Sequence, residues 1–269
     1  MLFFLFGYGS NGKSTLLNAI RDTLGPDYAI ESLPELLLAK KGEAHPTERA
    51  QLFGKRLVTT VELEEGRRLA ESMVKPLTGS DTITARRMRE DPWSFKPTHT
   101  IFLSVNHKPE IRGTDYAIWR RIRVVNFEAK FEKNKNADKE LPEKLALERA
   151  GILAWLVSGA KDWYRYGLDD APRIRAATDE YQAEMDIVGK FVEKCVTGDD
   201  AYTALAGELY DAYTEWNKNA VGGEPMTQTL FGRRFAERGL MKGKDPQTHR
   251  VLWRGIGLVA LNQGGEEDD

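Results

Sequence analysis

Residues 7–15 read Gly-Tyr-Gly-Ser-Asn-Gly-Lys-Ser-Thr. The stretch matches the phosphate-binding loop pattern G-x-x-x-x-G-K-[ST], with Gly7, Gly12, Lys13 and Ser14 at its fixed positions. The flanks agree. Leu2-Phe3-Phe4-Leu5-Phe6 is a short apolar run of the kind that forms a buried strand. Leu16 to Arg21 reads as a helix that Gly25 can end. Strand, glycine-rich loop and helix together point backbone N–H groups and a helix N-terminus at a phosphate. Lys13 would reach the β- and γ-phosphates, and the Ser14 hydroxyl would hold Mg²⁺.

Beyond this stretch, the 269 residues are 41% hydrophobic and 30% charged, a globular composition with enough apolar side chains for a sizeable core. No apolar run approaches the ~20 residues that span a bilayer. The apolar start lacks a basic n-region and leads straight into the phosphate loop, so it reads as a strand and not as a signal peptide. The single cysteine, Cys195, excludes an internal disulfide and offers no metal cluster, which suits a reducing cytoplasm. The net charge of −2 is unevenly spread: Ile83–Val125 and Met226–Ile256 each carry +5. Two basic stretches on an acidic background suit localised polyanion contact, although solvated helix faces give the same count.

Residues 1–125 alternate apolar runs with helical or turn segments, the pattern of an α/β sheet domain. Leu57–Val61 is an expected strand ending in acid, Leu69–Leu77 a helix limited by Pro76, and Thr100–Asn106 and Ile122–Phe127 two more strands. Ile83–Met88 and Trp93–His99 flank a turn and predict a hairpin. Lys130–Lys139 reads as an exposed loop. Pro142–Tyr166 reads as one helix with Ile152, Trp155, Leu156, Ala160 and Trp163 on its apolar side. Another helix is expected over Ile174–Glu184. From Gly189 the spacing is again helical, with Leu205, Leu209, Tyr213 and Trp216 in register. Thr227–Arg238 is a helix closed by Gly239, Arg250–Leu258 has strand character, and Gly264–Asp269 is an acidic, disordered tail.

Three further features bear on chemistry. Glu62 follows an apolar strand, with Glu64 and Glu65 close behind. An acid at the end of a neighbouring strand binds Mg²⁺ or polarises the attacking water, and Glu62 is preferred to Glu64. Glu64 and Glu65 equally suit a helix start. Asn106 ends another apolar strand and could orient water against a γ-phosphate, although Asn before a turn is also common. Arg120 and Arg121 precede a third strand. One of them could act as a finger on a neighbouring subunit's γ-phosphate, or the pair could be an ordinary solvated surface.

In combination these pieces resemble the superfamily 3 helicases, specifically the phage, plasmid and poxvirus-type primase-helicases. The resemblance lies in the ordered series 9–15, 54–62, 75–86, 95–99, 104–109 and 119–122, from Gly-Ser-Asn-Gly-Lys-Ser-Thr to Trp-Arg-Arg-Ile. It continues in Gly151-Ile152-Leu153-Ala154-Trp155-Leu156. It implies an α/β fold: an AAA+-like phosphate-loop NTPase core with a central parallel sheet over 1–128, a helical extension over 129–185, a small winged-helix DNA-binding domain over 186–262 and the acidic tail over 263–269. It implies that Gly7, Gly9, Ser10, Asn11, Gly12, Lys13, Ser14 and Thr15 bind ATP. Ser14 and Glu62 would hold Mg²⁺, Glu62 (or Glu64) would be the Walker B acid, Asn106 the sensor, and Arg120 or Arg121 the trans-acting finger. The DNA-gripping hairpin would map onto Ile83–His99, with Arg86, Arg87, Arg89 and Lys96 on single-stranded phosphates.

The C-terminal resemblance rests on Leu209–Trp216, Phe231–Phe235 and Trp253–Ile256. It makes Arg233, Arg234, Lys242, Lys244 and Arg250 DNA-contact candidates, while small modules of this kind also serve protein interaction. Family members carry a helical collar, and many a primase-polymerase domain, ahead of the phosphate-loop strand, which here begins at residue 2. The collar is therefore absent, supplied by another chain, or carried on a longer form of this one. The resemblance implies a ring-forming, hexameric, ATP-dependent translocase on single-stranded and forked DNA in phage or plasmid replication. It would act in the host cytoplasm with no membrane partner. The alternative is a DNA-binding initiator or accessory protein that uses ATP as a switch. A small-molecule kinase is disfavoured by the basic stretches and Trp-Arg-Arg-Ile.

Overall fold

The computed structural model describes residues 1–259 apart from 33, 40–45, 61–65, 114–115, 133–134, 170 and 223. The chain divides into two compact units, Met1–Met185 and Asp186–Asp269. The first runs β1 (Leu2–Phe6), α1 (Lys13–Tyr28), β2 (Ala29–Ser32), α2 (Pro46–Ala50), β3 (Leu57–Thr60), α3 (Glu71–Thr78), β4 (Ile83–Ala85), β5 (Trp93–Phe95), β6 (Thr100–Val105), α4 (Tyr116–Trp119), β7 (Ile122–Asn126), α5 (Leu141–Leu147), α6 (Arg149–Tyr166) and α7 (Pro172–Met185).

Five of these strands form one parallel sheet in the order β2-β3-β6-β1-β7. Strands covered on both faces read as continuous apolar runs, and this is why β1 could be placed from sequence alone. Leu2, Phe4, Ile101, Leu103, Val105, Ile122 and Val124 are buried in its core. Full burial of each such side chain contributes roughly 1.5–3 kcal/mol. Helix α1 packs on β2 and β3, and α7 on β7.

The edge strand β7 is not left with a bare ladder. Val124 N–H donates to Thr178 Oγ1 of α7 at 3.0 Å. The same helix sends Tyr181 into the core, edge-on to Phe4 and Trp119, and its hydroxyl donates to the Pro109 carbonyl. Lys108 holds the end of α7 by bonding both Glu184 oxygens at 3.1 and 3.0 Å.

The hairpin expected over 83–99 is present, with β4 and β5 antiparallel and Thr84 facing Ser94. His99 lies where the hairpin rejoins the sheet. It is buried, and neither ring nitrogen has a hydrogen-bond partner among the described residues. Burial lowers its pKa from 6.5 to about 4, and the nearby Leu77 and Leu52 carbonyls offset this only in part. The folded state thus favours neutral imidazole. Its stability contribution is complete above pH 6.5 and is lost as pH falls towards 4. Urea unfolding at pH 7 and pH 4.5 is expected to show ~2–3 kcal/mol lost from this site. His99→Leu is expected to flatten that dependence, and an unchanged slope would refute the assignment.

Several elements differ from the sequence reading. The helix expected over 142–166 is two helices, α5 and α6, meeting at Glu148. Ile152 and Leu156 are half-buried, but Trp155 and Trp163 are 64% and 61% exposed, so the apolar side is broader than the face that packs. Helix α1 carries a break at Gly25, whose φ is 74°, and continues through Pro26. The acidic tail lies outside the described residues.

The second unit contains α8 (Ile187–Cys195), β8 (Val196–Leu205), α9 (Ala206–Ala220), α10 (Gln228–Glu237), β9 (Met241–Lys244) and β10 (Val251–Leu258). Its sheet is antiparallel in the order β8-β10-β9. Reading 189 onward as helical missed β8. Val196, Thr197, Tyr202 and Thr203 favour a strand, but their partner β10 lies about fifty residues further on and is invisible to local spacing. Phe231 centres the core, stacked on Tyr213 at 4.7 Å between centroids and packed against Phe235 and Phe191. Asp186 caps α8 by accepting the Gly189 N–H at 2.9 Å, and Thr227 caps α10 by accepting from Leu230.

Candidate phosphate-binding site

The loop after β1 is held by its two strand neighbours. Gly7 N–H donates to the Val105 carbonyl of β6 at 3.2 Å, and Phe127 N–H donates to the Phe6 carbonyl at 2.7 Å. Gly7 cannot carry a side chain: a Cβ there would lie 2.4 Å from Asn11 Nδ2 and 2.5 Å from the Phe127 oxygen. Gly9, Ser10 and Gly12 all have positive φ, at 44°, 48° and 89°. Such a run turns successive N–H groups into one concavity, and Gly12 then starts α1. No acidic residue stands in the first turn of α1, so its N-terminal field is left to an anion.

Lys13 is the electrostatic centre. Its side chain is buried, yet it bears an ammonium group with three donors. Nζ donates to the Gly7 carbonyl, to Asn11 Oδ1 at 3.1 Å and to Asn106 Oδ1 at 3.1 Å. Among the described residues these three oxygens help to offset the cost of burying the charge. Asn106 follows β6 directly, and β6 pairs with β1 so that Phe6 faces Val105. Parallel register, not sequence proximity, therefore brings Asn106 to the phosphate loop.

The other expected residues fall in different places. Glu62 and Glu64 lie outside the described residues; the strand leading to them, β3, is described to Thr60 and pairs with β6. Ser14 and Thr15 stand in the first turn of α1. Arg120 and Arg121 precede β7, whose Ile122 aligns with Leu2 at the start of β1. They are therefore at the opposite end of the sheet from the phosphate loop, about 16 Å away along the five residues of strand. Within one chain they do not join Lys13. Arg121 instead bonds the Ala117 carbonyl, and Arg120 is exposed.

On the hairpin, Arg86, Arg87, Arg89 and Lys96 are exposed. Arg86 Nε donates to the Glu90 carbonyl at 3.0 Å, and the Arg87 guanidinium lies 5.9 Å from the Trp93 ring centroid. A surface groove of about 450 Å³ runs beside this hairpin past Phe53 and Met88, away from Lys13. In the second unit Arg233, Lys242, Lys244 and Arg250 present charge, with Lys242 over the Trp253 ring at 5.0 Å. Arg234, by contrast, is buried and pairs with Glu237 at 3.1 Å, so it packs instead of projecting. Among the described residues no three His, Cys, Asp or Glu side chains cluster to hold a metal, and no helix is long and apolar enough to cross a membrane.

Sequence reasoning missed Phe131. Its N–H donates to the Ser10 carbonyl at 2.7 Å, and its ring lies 3.6 Å from where a Gly12 Cβ would stand. Nothing in the exposed, charged stretch around it marked that contact.

Residues 5–121 match a model described as a family of unknown function, DUF5906. The chain is 29% identical to "Putative helicase L207/L206" of Acanthamoeba polyphaga mimivirus, over 97% of this chain and 29% of that protein. It is 27% identical to "Putative helicase 022R" of Frog virus 3 (isolate Goorha) and 26% identical to "Putative primase C962R" of African swine fever virus. Each of these two matches covers 80% of this chain and 24% of the relative. The chain thus spans less than a third of the length of these relatives. In fold it is similar to the apo structure of the NrS-1 C-terminal region, with a TM-score of 0.55 and 14% identity over 96% of this chain and 67% of that one. The relatives, named as helicases and primases of large DNA viruses, agree with the superfamily 3 resemblance drawn from the motifs.

Proposed function

We propose that this chain is the ATP-hydrolysing motor of a replicative DNA helicase, working as a ring on single-stranded DNA. The observation that carries the reading is the Lys13–Asn106 bond, which joins the phosphate loop to the end of the next strand. Phosphate oxygens could replace Asn11 and Asn106 on the ammonium, letting Asn106 orient water. The positive-φ loop, the crowded Gly7 and the buried Lys13 all fit a triphosphate. Gly9 to Thr15 would hold it by backbone N–H groups, and Ser14 with Glu62 would hold Mg²⁺. When bound, that ion would neutralise charge on the transferring phosphoryl group.

The opposite-end placement of Arg120 and Arg121 supports a finger supplied by a second copy, because the chain's own arginines do not reach its own Lys13. The five-stranded order suits an AAA+-like core. The α8–β10 unit suits a winged helix, with α10 and the β9–β10 hairpin carrying Arg233, Lys242, Lys244 and Arg250 to DNA. The names of the viral relatives favour replication. The same exposed cations also favour the second reading, an ATP-switched DNA-binding initiator.

The test is ATP turnover and strand displacement with and without single-stranded DNA, on wild type and Glu62→Gln. Stimulation by DNA and loss of unwinding in Glu62→Gln are expected. Unwinding that survives loss of hydrolysis would refute the motor, and turnover indifferent to DNA would refute the helicase. Replacing Arg86, Arg87 and Arg89 together by alanine is expected to weaken single-strand binding about tenfold or more. The salt slope should fall by about 2, since each lost phosphate contact removes ~0.7.

A further inference from the structure

Helix α6 carries an aromatic ridge that its own chain leaves bare. Ile152 and Leu156 are half-buried and the helix packs on α1, but no residue of α6 is fully buried. Trp155, Trp163, Tyr164 and Tyr166 are 61–86% exposed. Four rings at that exposure present roughly 400–700 Å², against about 800 Å² per partner in a standard interface. An apolar patch of that size marks a contact surface. Charge indicates for what. Glu148, Trp155 and Asp162 are spaced by seven residues, and Tyr166 follows by four, so they share one stripe along the helix. All four are exposed. Carboxylates set among the rings repel nucleic-acid phosphates and suit an apolar hollow rimmed by cations.

Such a hollow lies on the same unit. The groove of about 450 Å³ beside the hairpin has Ile30, Ala50, Phe53 and Met88 in its lining, together with Lys55 and Arg87. Phe53 is 53% exposed although its ring meets Trp93 and Phe95 edge-on. Lys55 Nζ donates to the Pro26 and Asp27 carbonyls at 2.6 and 3.2 Å, which holds the side chain in place and leaves its charge uncancelled. Arg87 is paired only loosely, with a Glu90 oxygen 3.8 Å away at the surface. A cavity of ~150 Å³ accepts a benzene ring, so the groove has room for an indole. Ridge and groove are both exposed in one chain, so each is available to another copy.

We propose that the α6 ridge of one copy seats in the Phe53–Met88 groove of a second copy. Contact between two unlike surfaces repeats from copy to copy and can close into a ring. The proposal rests on the ring reading above and names the surfaces that join its subunits.

The test is the mass of the full chain in solution across a concentration series, with and without a non-hydrolysable ATP analogue. Trp155→Ser with Trp163→Ser removes the ridge, and Met88→Glu sets a carboxylate in the groove opposite Asp162. Wild type is expected to associate, and each variant to do so about tenfold or more weakly. An equimolar mixture of the two variants is expected to form a dimer and no more, because the pair retains one intact ridge and one intact groove. Should the double serine variant unfold, as circular dichroism would show, Asp162→Lys takes its place in the mixture. A wild type that stays monomeric throughout, a variant that associates undiminished, or a mixture that stays monomeric overturns the proposal. Loss of single-strand binding in Met88→Glu with association undiminished would give the groove to DNA instead. Turnover of wild type with and without single-stranded DNA, measured alongside, reports on the helicase reading separately.

Discussion

Lys13→Ala is expected to lower ATP turnover by on the order of 10³-fold or more, because the substitution removes the only buried cation aimed at the phosphate loop among the described residues. Two effects add. On the proposed function, the transferring phosphoryl group would lose a fixed positive charge in a site of low dielectric. The buried Gly7 carbonyl and Asn11 Oδ1 also lose a donor, and a buried acceptor left without one costs about 1–3 kcal/mol. Turnover and thermal melting should therefore fall together, turnover far more. Lys13→Arg is expected to fail as well, since a planar guanidinium does not reproduce a compact three-donor group at the floor of a tight loop. Turnover within tenfold of wild type in Lys13→Ala would remove the phosphate loop from the mechanism.

Phe231→Ala is expected to unfold the second unit. Phe231 is buried, stacked on Tyr213 and ringed by Phe191, Tyr210 and Phe235. Truncating a core Phe costs about 3–5 kcal/mol. A unit of this size has roughly 4–13 kcal/mol to lose at about 0.05–0.15 kcal/mol per residue, so at the lower end little or nothing remains. Calorimetry of the full chain should show the transition of Asp186–Asp269 displaced to low temperature or absent. Tripolyphosphate binding by Met1–Met185 should persist, because the phosphate-loop contacts of Lys13 are made within that unit. A cost below about 1 kcal/mol would mean that the aromatic cluster relaxes around the gap.

The phosphate loop and its sheet were legible because their signals are local. The run Leu2–Phe6 is apolar at every position, and Gly7, Gly12, Lys13 and Ser14 have fixed spacing. The hairpin was legible because Arg89–Pro92 punctuates two short strands. The second unit was half legible. Thr227 and Gly239 bounded α10, but β8 needed β10 to be recognised as a strand. Helix α6 shows the reverse error: apolar spacing marked Trp155 and Trp163 as a packing side, and both are exposed. Periodicity reports which residues share a helix face, not whether a neighbour covers it.

Local sequence was enough to show that a Gly-rich loop follows a buried strand, and it named the lysine and the strand-end asparagine. Their meeting is a matter of packing. Asn106 is 93 residues from Lys13, and only the parallel register of β6 on β1 sets them 3.1 Å apart. The pairing of β7 on β1 carries Arg120 and Arg121 to the far end of the sheet, and the chain after β7 brings Phe131 to Gly12 from a loop without a motif. Spacing along the chain fixes chemistry within one turn or loop. Which distant side chains share a site is fixed by strand order, and strand order is a property of the packed sheet.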